Sequence, residues 1–206
     1  MIRLYLTILP ETAPEPPYEQ FSSYRKEKLS RQKNKLARLQ SVYAELLLRY
    51  AMGDIGYKTE SPLLIACRKD GKPYLCGKEI FFNLSHSRNA VLCAISDREV
   101  GADVQAISGV QRALTERRFR PDERAYVAAA KEPEVAFAEI WAKKESFCKA
   151  SGLGLRCPLD SFSVFDENVS RTLWHTGIGD FQIAVCCAEK IPSDLQIQQI
   201  DPAALL

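Results

Sequence analysis

What the chain lacks narrows it first. No apolar run approaches the roughly 18 residues that a membrane span needs, and the N-terminus has neither the basic nor the apolar region of a secretory signal. No tract is low in complexity. Neither sign of charge is in excess: 28 basic against 26 acidic residues leave +2, too little to argue for nucleic acid as a bulk partner. Seven cysteines, an odd number, include no Cys-x-x-Cys pair, and Cys186-Cys187 sit in an apolar run as buried thiols do. That usage predicts a reducing, cytoplasmic setting and argues against disulfides and structural zinc. What remains is ordinary for a globular protein: 206 residues, 46% hydrophobic and 26% charged, enough for one large or two small domains.

The chain opens with Ile2, Leu4, Leu6 and Ile8 alternating with Arg3, Tyr5 and Thr7, the period of a half-buried strand. Pro14 to Pro17 reads as a loop. Seven cations follow within fourteen residues, Arg25, Lys26, Lys28, Arg31, Lys33, Lys35 and Arg38, running into an amphipathic helix over 39–49. Such a run is either a solvated helical face or an anion site. Leu63–Cys67 and Lys72–Leu75 bracket Asp70-Gly71, the signature of a hairpin. Ile80–Ser87 and Ala90–Ile95 are further strand candidates, with His86 between two serines at a strand end. A lone histidine is usually structural, but imidazole and hydroxyls there can also hold phosphate oxygens. His175 has no comparable neighbours and receives no role.

Asp103 stands between Ala102 and Val104 in a short apolar strand, where an unpaired carboxylate is costly. It either accepts local hydrogen bonds or ligates a hard cation with a second carboxylate and substrate oxygens. Val110–Arg118 reads as a helix, and Pro121 starts another. Then comes the helix around which the chain is organised, Phe137 to Lys149. Phe137, Trp141 and Cys148 fall on one stripe with Lys144 beside it, Glu145 lies at its edge, and Gly152 and Gly154 stop it. Taken alone, Glu145 and Lys149 read first as an ordinary i,i+4 surface pair. Phe162–Phe165 and Gln182–Cys187 read as strands, and Asp194–Leu206 has no clear pattern. The order of elements predicts an α+β fold of two similar halves, 1–100 and 101–206, meeting near Gly101.

Three stretches stand in order: Phe82-Asn-Leu-Ser-His-Ser87, Gly101-Ala-Asp-Val104, and Trp141-Ala-Lys-Lys-Glu-Ser-Phe-Cys-Lys149 with Gly152-Leu-Gly-Leu155. Together they resemble the 4′-phosphopantetheinyl transferases, in particular the larger single-chain class that activates peptide and polyketide synthetases. Gly71-Lys-Pro73, Phe119 to Glu123 and Leu159-Asp-Ser-Phe-Ser163 extend the resemblance over most of the chain.

The resemblance implies a pseudo-dimeric fold, a monomer in solution, with the active site in the cleft between halves. It implies coenzyme A as donor, Mg2+ as cofactor and the serine of an apo acyl or peptidyl carrier protein as acceptor, in fatty-acid, polyketide or nonribosomal peptide synthesis. Asp103 and Glu145 would ligate the metal. His86 and Lys149 would bind the phosphates with Ser85 and Lys72 nearby. Arg25, Lys28 and Arg38 would meet the 3′-phosphate, and Lys72 and Pro73 would line the adenine site. Glu145 would be the general base, directly or through a metal-bound water, with Glu123 as competitor, so Glu145, Lys149 and His86 form the expected catalytic set. Where the family pattern usually has a glutamate as a further metal ligand, this chain has Gln105, which offers a neutral oxygen. That substitution leaves open a non-catalytic coenzyme A-binding homologue that docks on a carrier protein or synthetase.

Overall fold

The computed structural model describes residues 1–58, 62–152 and 157–206. The N-terminal alternation forms β1 (Ile2–Ile8). Its central position in a four-stranded sheet comes from two partners, antiparallel β5 (Ala90–Ser96) and parallel β9 (Ile197–Gln199), and β4 (Phe81–Ser87) pairs antiparallel with β5. Every residue of β5 is buried, because the sheet is covered on both faces. The period of two divides its side chains cleanly. Tyr5, Val91, Cys93 and Ile95 join the core under the second helix, whereas Leu4, Leu6, Leu92 and Ala94 face a second sheet.

The basic segment is not one continuous helix. It forms α1 (Ser23–Ser30), breaks, and restarts as α2 (Lys35–Asp54), because the Asn34 side chain accepts from the Ala37 amide at 3.1 Å and caps the new start. Val42, Leu46, Leu47 and Met52 of α2 are all buried on the sheet, each contributing about 2 kcal/mol. The Asp-Gly turn joins β2 (Ile65–Cys67) to β3 (Pro73–Leu75), with Gly71 at φ 92° as the turn requires.

A second sheet has the order β6-β8-β7, from β6 (Val100–Ala106), β7 (Leu173–Ile178) and β8 (Phe181–Cys187). The organising helix, α5 (Pro133–Ala150), lies across β6 and β8. Between β6 and α5 run α3 (Arg112–Arg118) and α4 (Pro121–Ala129), and α6 (Glu167–Ser170) precedes β7. The fold is therefore α+β, as the sequence predicts. Among the described residues, no helix is long and apolar enough to cross a membrane.

Three expectations change. Phe162–Phe165 is not a strand: side chains take up its amides, Asp166 that of Ser163, Glu123 that of Val164 and Ser163 that of Phe165, leaving no ladder to form. The tail is ordered, with β9 extending the first sheet and a final 3-10 turn (Pro202–Leu205) packing on α2. Most directly, Cys148 and Cys157 form a disulfide, against the expectation of reduced thiols throughout. Spacing in sequence did not reveal it because Cys148 lies in the last turn of α5 and Cys157 comes beside it only in the folded chain. Cys93, Cys186 and Cys187 are buried free thiols. Of the expected helix-stopping glycines, Gly152 takes φ 74° after the C-cap, whereas Leu153, Gly154 and Leu155 of the third motif lie outside the described residues.

Two backbones touch where α5 crosses β6. A methyl group on Gly101 of β6 would lie 2.0 Å from the Ser146 carbonyl oxygen and 2.3 Å from the Ala150 nitrogen of α5. Because both obstacles are backbone, relief requires the helix to lift off the strand. Gly101→Ala should therefore destabilise by about 3 kcal/mol or prevent folding, as measured by thermal melting. A melting temperature like that of the wild type would show that the contact is not close. The disulfide closes a span of nine residues, for which loop closure contributes about 2–3 kcal/mol. Reductant should lower the melting temperature of the wild type and leave a Cys148→Ser/Cys157→Ser variant unaffected; two alkylatable thiols at these positions without reductant would contradict the pairing.

Candidate functional site

The two sheets are joined by side chains. Alternate residues of β4 point at β6: Asn83 Oδ1 accepts from the Ala102 amide at 2.9 Å, Ser85 Oγ from Val104 at 3.4 Å, and Ser87 Oγ from Ala106 at 3.0 Å. Three polar side chains thus replace the missing strand ladder and satisfy buried amides. They also bring the end of β4, carrying Ser85 and His86, beside Asp103 and Gln105 of β6.

Next to this seam a cleft of about 450 Å³ opens. It is lined by Arg25 and Lys28 from α1, Pro73 from the hairpin, Ser85 and His86 from β4, Asp103 and Gln105 from β6, and Glu145 and Lys149 from α5. Nearly every expected site residue is therefore brought together from five elements. Tyr24, Asn83 and Trp141 also line it. Asn83 and Trp141 lie inside the quoted motifs and Tyr24 adjoins Arg25, but none carries a charge to mark it in sequence.

Lys149 does not make the surface pair with Glu145. Its Nζ crosses to Asp103 Oδ1 at 2.6 Å and to Ser85 Oγ at 3.0 Å, while the Ser85 hydroxyl donates to the same Asp103 oxygen at 2.6 Å. Asp103, nearly buried, is thereby compensated on one oxygen only. Glu145 has no ion-pair partner among the described residues. Its carboxyl is held above the usual range by lost hydration and then by Asp103, against the opposing pull of Lys149 and Arg118. A raised carboxyl pKa is the property expected of a group that takes up a proton near neutral pH.

Two expected residues fall elsewhere. Arg38 lies outside the cleft and pairs with Glu15 at 3.0 Å. Lys72 is buried and spends its donors on Glu99 at 2.7 Å, the Val100 carbonyl at 3.0 Å and the Ala150 carbonyl at 3.4 Å, so it ties the hairpin to β6 and α5. Glu123 is fully buried. It accepts from the amides of Arg120 at 2.7 Å and Val164 at 2.8 Å and pairs with buried Lys144 at 2.8 Å. Lys144 gives its other protons to the Leu159 and Phe162 carbonyls. Such a satisfied network binds α4, α5 and the 159–164 turn together and leaves Glu123 no access to a reacting group; cutting one partner costs about 3–5 kcal/mol.

The cleft can hold a polyanion. Arg25, Lys28 and His86 face it as donors that no nearby carboxylate fully neutralises. His86 is open to the cleft itself, yet its protonation is depressed to about 4, by lost hydration first and then by Lys28, Lys149 and Arg25. It is therefore neutral at pH 7, and an anion among these cations would raise its pKa. A hard divalent cation also fits the donor set. Asp103 and Glu145 repel one another at the wall, and Gln105 offers an amide oxygen. No group of three or more His, Cys, Asp or Glu side chains could hold a metal among the described residues. Two carboxylates completed by water and ligand oxygens are an arrangement that a hard divalent cation accepts.

The site and fold thus define a cleft lined by cations and a carboxylate pair in an α+β protein. Residues 99–199, which carry β6, α5 and their connections, match the model of the 4′-phosphopantetheinyl transferase superfamily. The chain is 34% identical over 135 residues to the 4′-phosphopantetheinyl transferase gsp of Aneurinibacillus migulanus, covering 65% of this chain and 56% of that protein. It is 31% identical over 147 residues to a 4′-phosphopantetheinyl transferase of Bacillus subtilis, covering 69% of this chain and 65% of the relative. With the 4′-phosphopantetheinyl transferase Sfp of Bacillus subtilis strain 168 it shares 29% identity over 153 residues, 71% of this chain and 68% of Sfp. Over residues 99–199 the chain is thus similar to the 4′-phosphopantetheinyl transferase superfamily, and it spans 56–68% of the length of these three relatives.

The folded state keeps His86 neutral, whereas an unfolded histidine protonates near 6.5. The unfolded state therefore binds more protons between those values, so this group's contribution to stability is present above 6.5 and is lost as pH falls toward 4. In an NMR titration of the ligand-free protein, His86 should titrate well below 6.5, and a saturating polyphosphate should move the midpoint upward. A ligand-free midpoint at or above 6.5 would contradict the cationic surroundings.

Proposed function

We propose that this protein transfers the 4′-phosphopantetheine group of coenzyme A to a serine of an apo acyl or peptidyl carrier protein, releasing adenosine 3′,5′-bisphosphate. The observation that carries the reading is the one cleft lined by Asp103, Glu145 and Lys149 together with Arg25, Lys28 and His86. A coenzyme A molecule needs cations for both its 3′-phosphate and its diphosphate, and a phosphoryl transfer needs a base. Those requirements match the residues that line the cleft. Asp103 and Glu145, with the amide oxygen of Gln105, would hold a magnesium ion, which would neutralise charge on the diphosphate.

The chain's own groups then divide the work. Arg25 and Lys28 hold the 3′-phosphate, and Pro73 borders the adenine. His86, neutral and donating one N–H, and Lys149 bind diphosphate oxygens, while Ser85 keeps Lys149 in place. The acceptor serine Oγ forms a bond to the β-phosphorus, and the bond from that phosphorus to the bridging oxygen breaks. The oxygen and its electron pair leave with adenosine 3′,5′-bisphosphate. The serine proton passes to Glu145, whose raised pKa suits it to the role. The protein acts as a monomer, since one chain supplies both walls of the cleft. An acidic carrier helix docking near Val110–Tyr126 would find the exposed Tyr126 ring there.

Gln105 favours a second reading, a coenzyme A-binding homologue without turnover, because it removes one anionic metal ligand. Intact mass of an apo carrier protein after incubation with this protein, coenzyme A and Mg2+ separates the two. The expected outcome is a gain of one phosphopantetheine, lost with chelator and reduced at least 100-fold in Glu145→Gln, a loss within the range of a general base. Coenzyme A binding without transfer to any of several carriers, unrescued by Gln105→Glu, would establish the second reading.

A further inference from the structure

We infer that Glu45, which lies outside the cleft lining, is the positioning residue that fixes Arg25 and so sets selectivity for the 3′-phosphate of the donor. The inference rests on the reading of the cleft as a coenzyme A site. Glu45 lies on α2 and is fully buried, where a lone carboxylate would be prohibitive. It is surrounded by donors from two helices: the Ser22 amide at 2.8 Å, the Ser22 hydroxyl at 2.6 Å, Arg25 Nε at 3.4 Å and Arg49 Nη2 at 3.3 Å. Ser22 is itself the N-cap of α1, its Oγ accepting from the Arg25 amide at 3.1 Å. Helix start, carboxylate and guanidinium therefore form one unit.

The orientation of Arg25 follows from that unit. Its side chain is 2% exposed, its Nε goes to Glu45, and its Nη1 goes to Ser41 Oγ at 2.9 Å. Its Nη2 is buried and has no partner among the described residues, although Arg25 lines the cleft. A buried guanidinium nitrogen without an acceptor is costly, and an anionic oxygen arriving in the cleft would remove that cost. Two faces of the guanidinium are thus used to hold it and the third is left for ligand. Lys28, one turn along α1, stands beside it at the same wall. Because Glu45 is shared with Arg49, its one negative charge does not cancel the two cations, and the wall stays attractive to a phosphate.

The test compares coenzyme A with 3′-dephospho-coenzyme A, by calorimetric binding with Mg2+ present. In Glu45→Gln the affinity for coenzyme A should fall about 10-fold or more, while that for the dephospho form changes less than about 2-fold. The same substitution in an Arg25→Met background should then have no further effect on the ratio. Glu45→Asp, which keeps the charge, should recover part of the selectivity. If Glu45→Gln does not fold, Ser22→Ala takes its place, with a smaller selective loss expected. Equal weakening of both ligands, or an unchanged ratio in the folded variant, would overturn the inference. Failure of the wild type to bind coenzyme A at all would instead overturn the reading of the cleft.

Discussion

The seam between β4 and β6 is the constraint on which the rest of the structure depends. Three amides of β6 lack strand partners on that side, and Asn83, Ser85 and Ser87 supply the acceptors. A conventional ladder would have fused the sheets and left no room for a cleft. Unpaired amides would have cost the fold a few kcal/mol. Side-chain acceptors solve both problems, because they hold the strands at a distance that leaves the intervening atoms polar. Asp103 can occupy the middle of β6 for that reason: its strand neighbours are apolar, yet Ser85 and Lys149 reach it across the seam.

On the other side of β6, the absence of a side chain at Gly101 lets α5 settle on the strand backbone. Glu145 and Lys149 are consequently delivered to the same wall as Asp103, not to solvent. Charge in the cleft is arranged asymmetrically as a result. Lys149 is committed to Asp103, Glu145 is left unneutralised, and the cations of α1 and the neutral His86 line the same cleft. Fully paired charges would have made a stable but inert core, whereas this partial pairing leaves the cleft electrostatically dependent on what enters it.

Much of this was legible in the residues. The alternation of β1, the Asp-Gly hairpin and the length of α5 gave strand and helix positions, and the family resemblance named nine residues that line one cleft, five of them within the three spaced motifs. The misses have physical causes. Phe162–Phe165 has the apolar composition of a strand, but nearby Asp166, Glu123 and Ser163 outcompete a ladder for its amides. Arg38 and Lys72 have the right charge, but Glu15 and Glu99 lie close enough to claim them. Tertiary carboxylates of this kind are invisible to spacing. The Cys148–Cys157 pair was hidden for the same reason, since the two sulfurs come together only in the folded chain. Glu45 carried no motif, and its burial alone makes it conspicuous.

The first sheet is completed by β9, whose Ile197–Gln199 lie parallel to Leu4–Leu6. That flank of β1 therefore stays open until residues 197–199 have been synthesised. Until then, the open flank of β1 exposes unpaired backbone and can pair with a neighbouring nascent chain. Native closure of that flank is a long-range event and correspondingly slow. During synthesis, the vulnerable interval lies between the appearance of β5 and the release of β9, and a chaperone that shields that edge would act there.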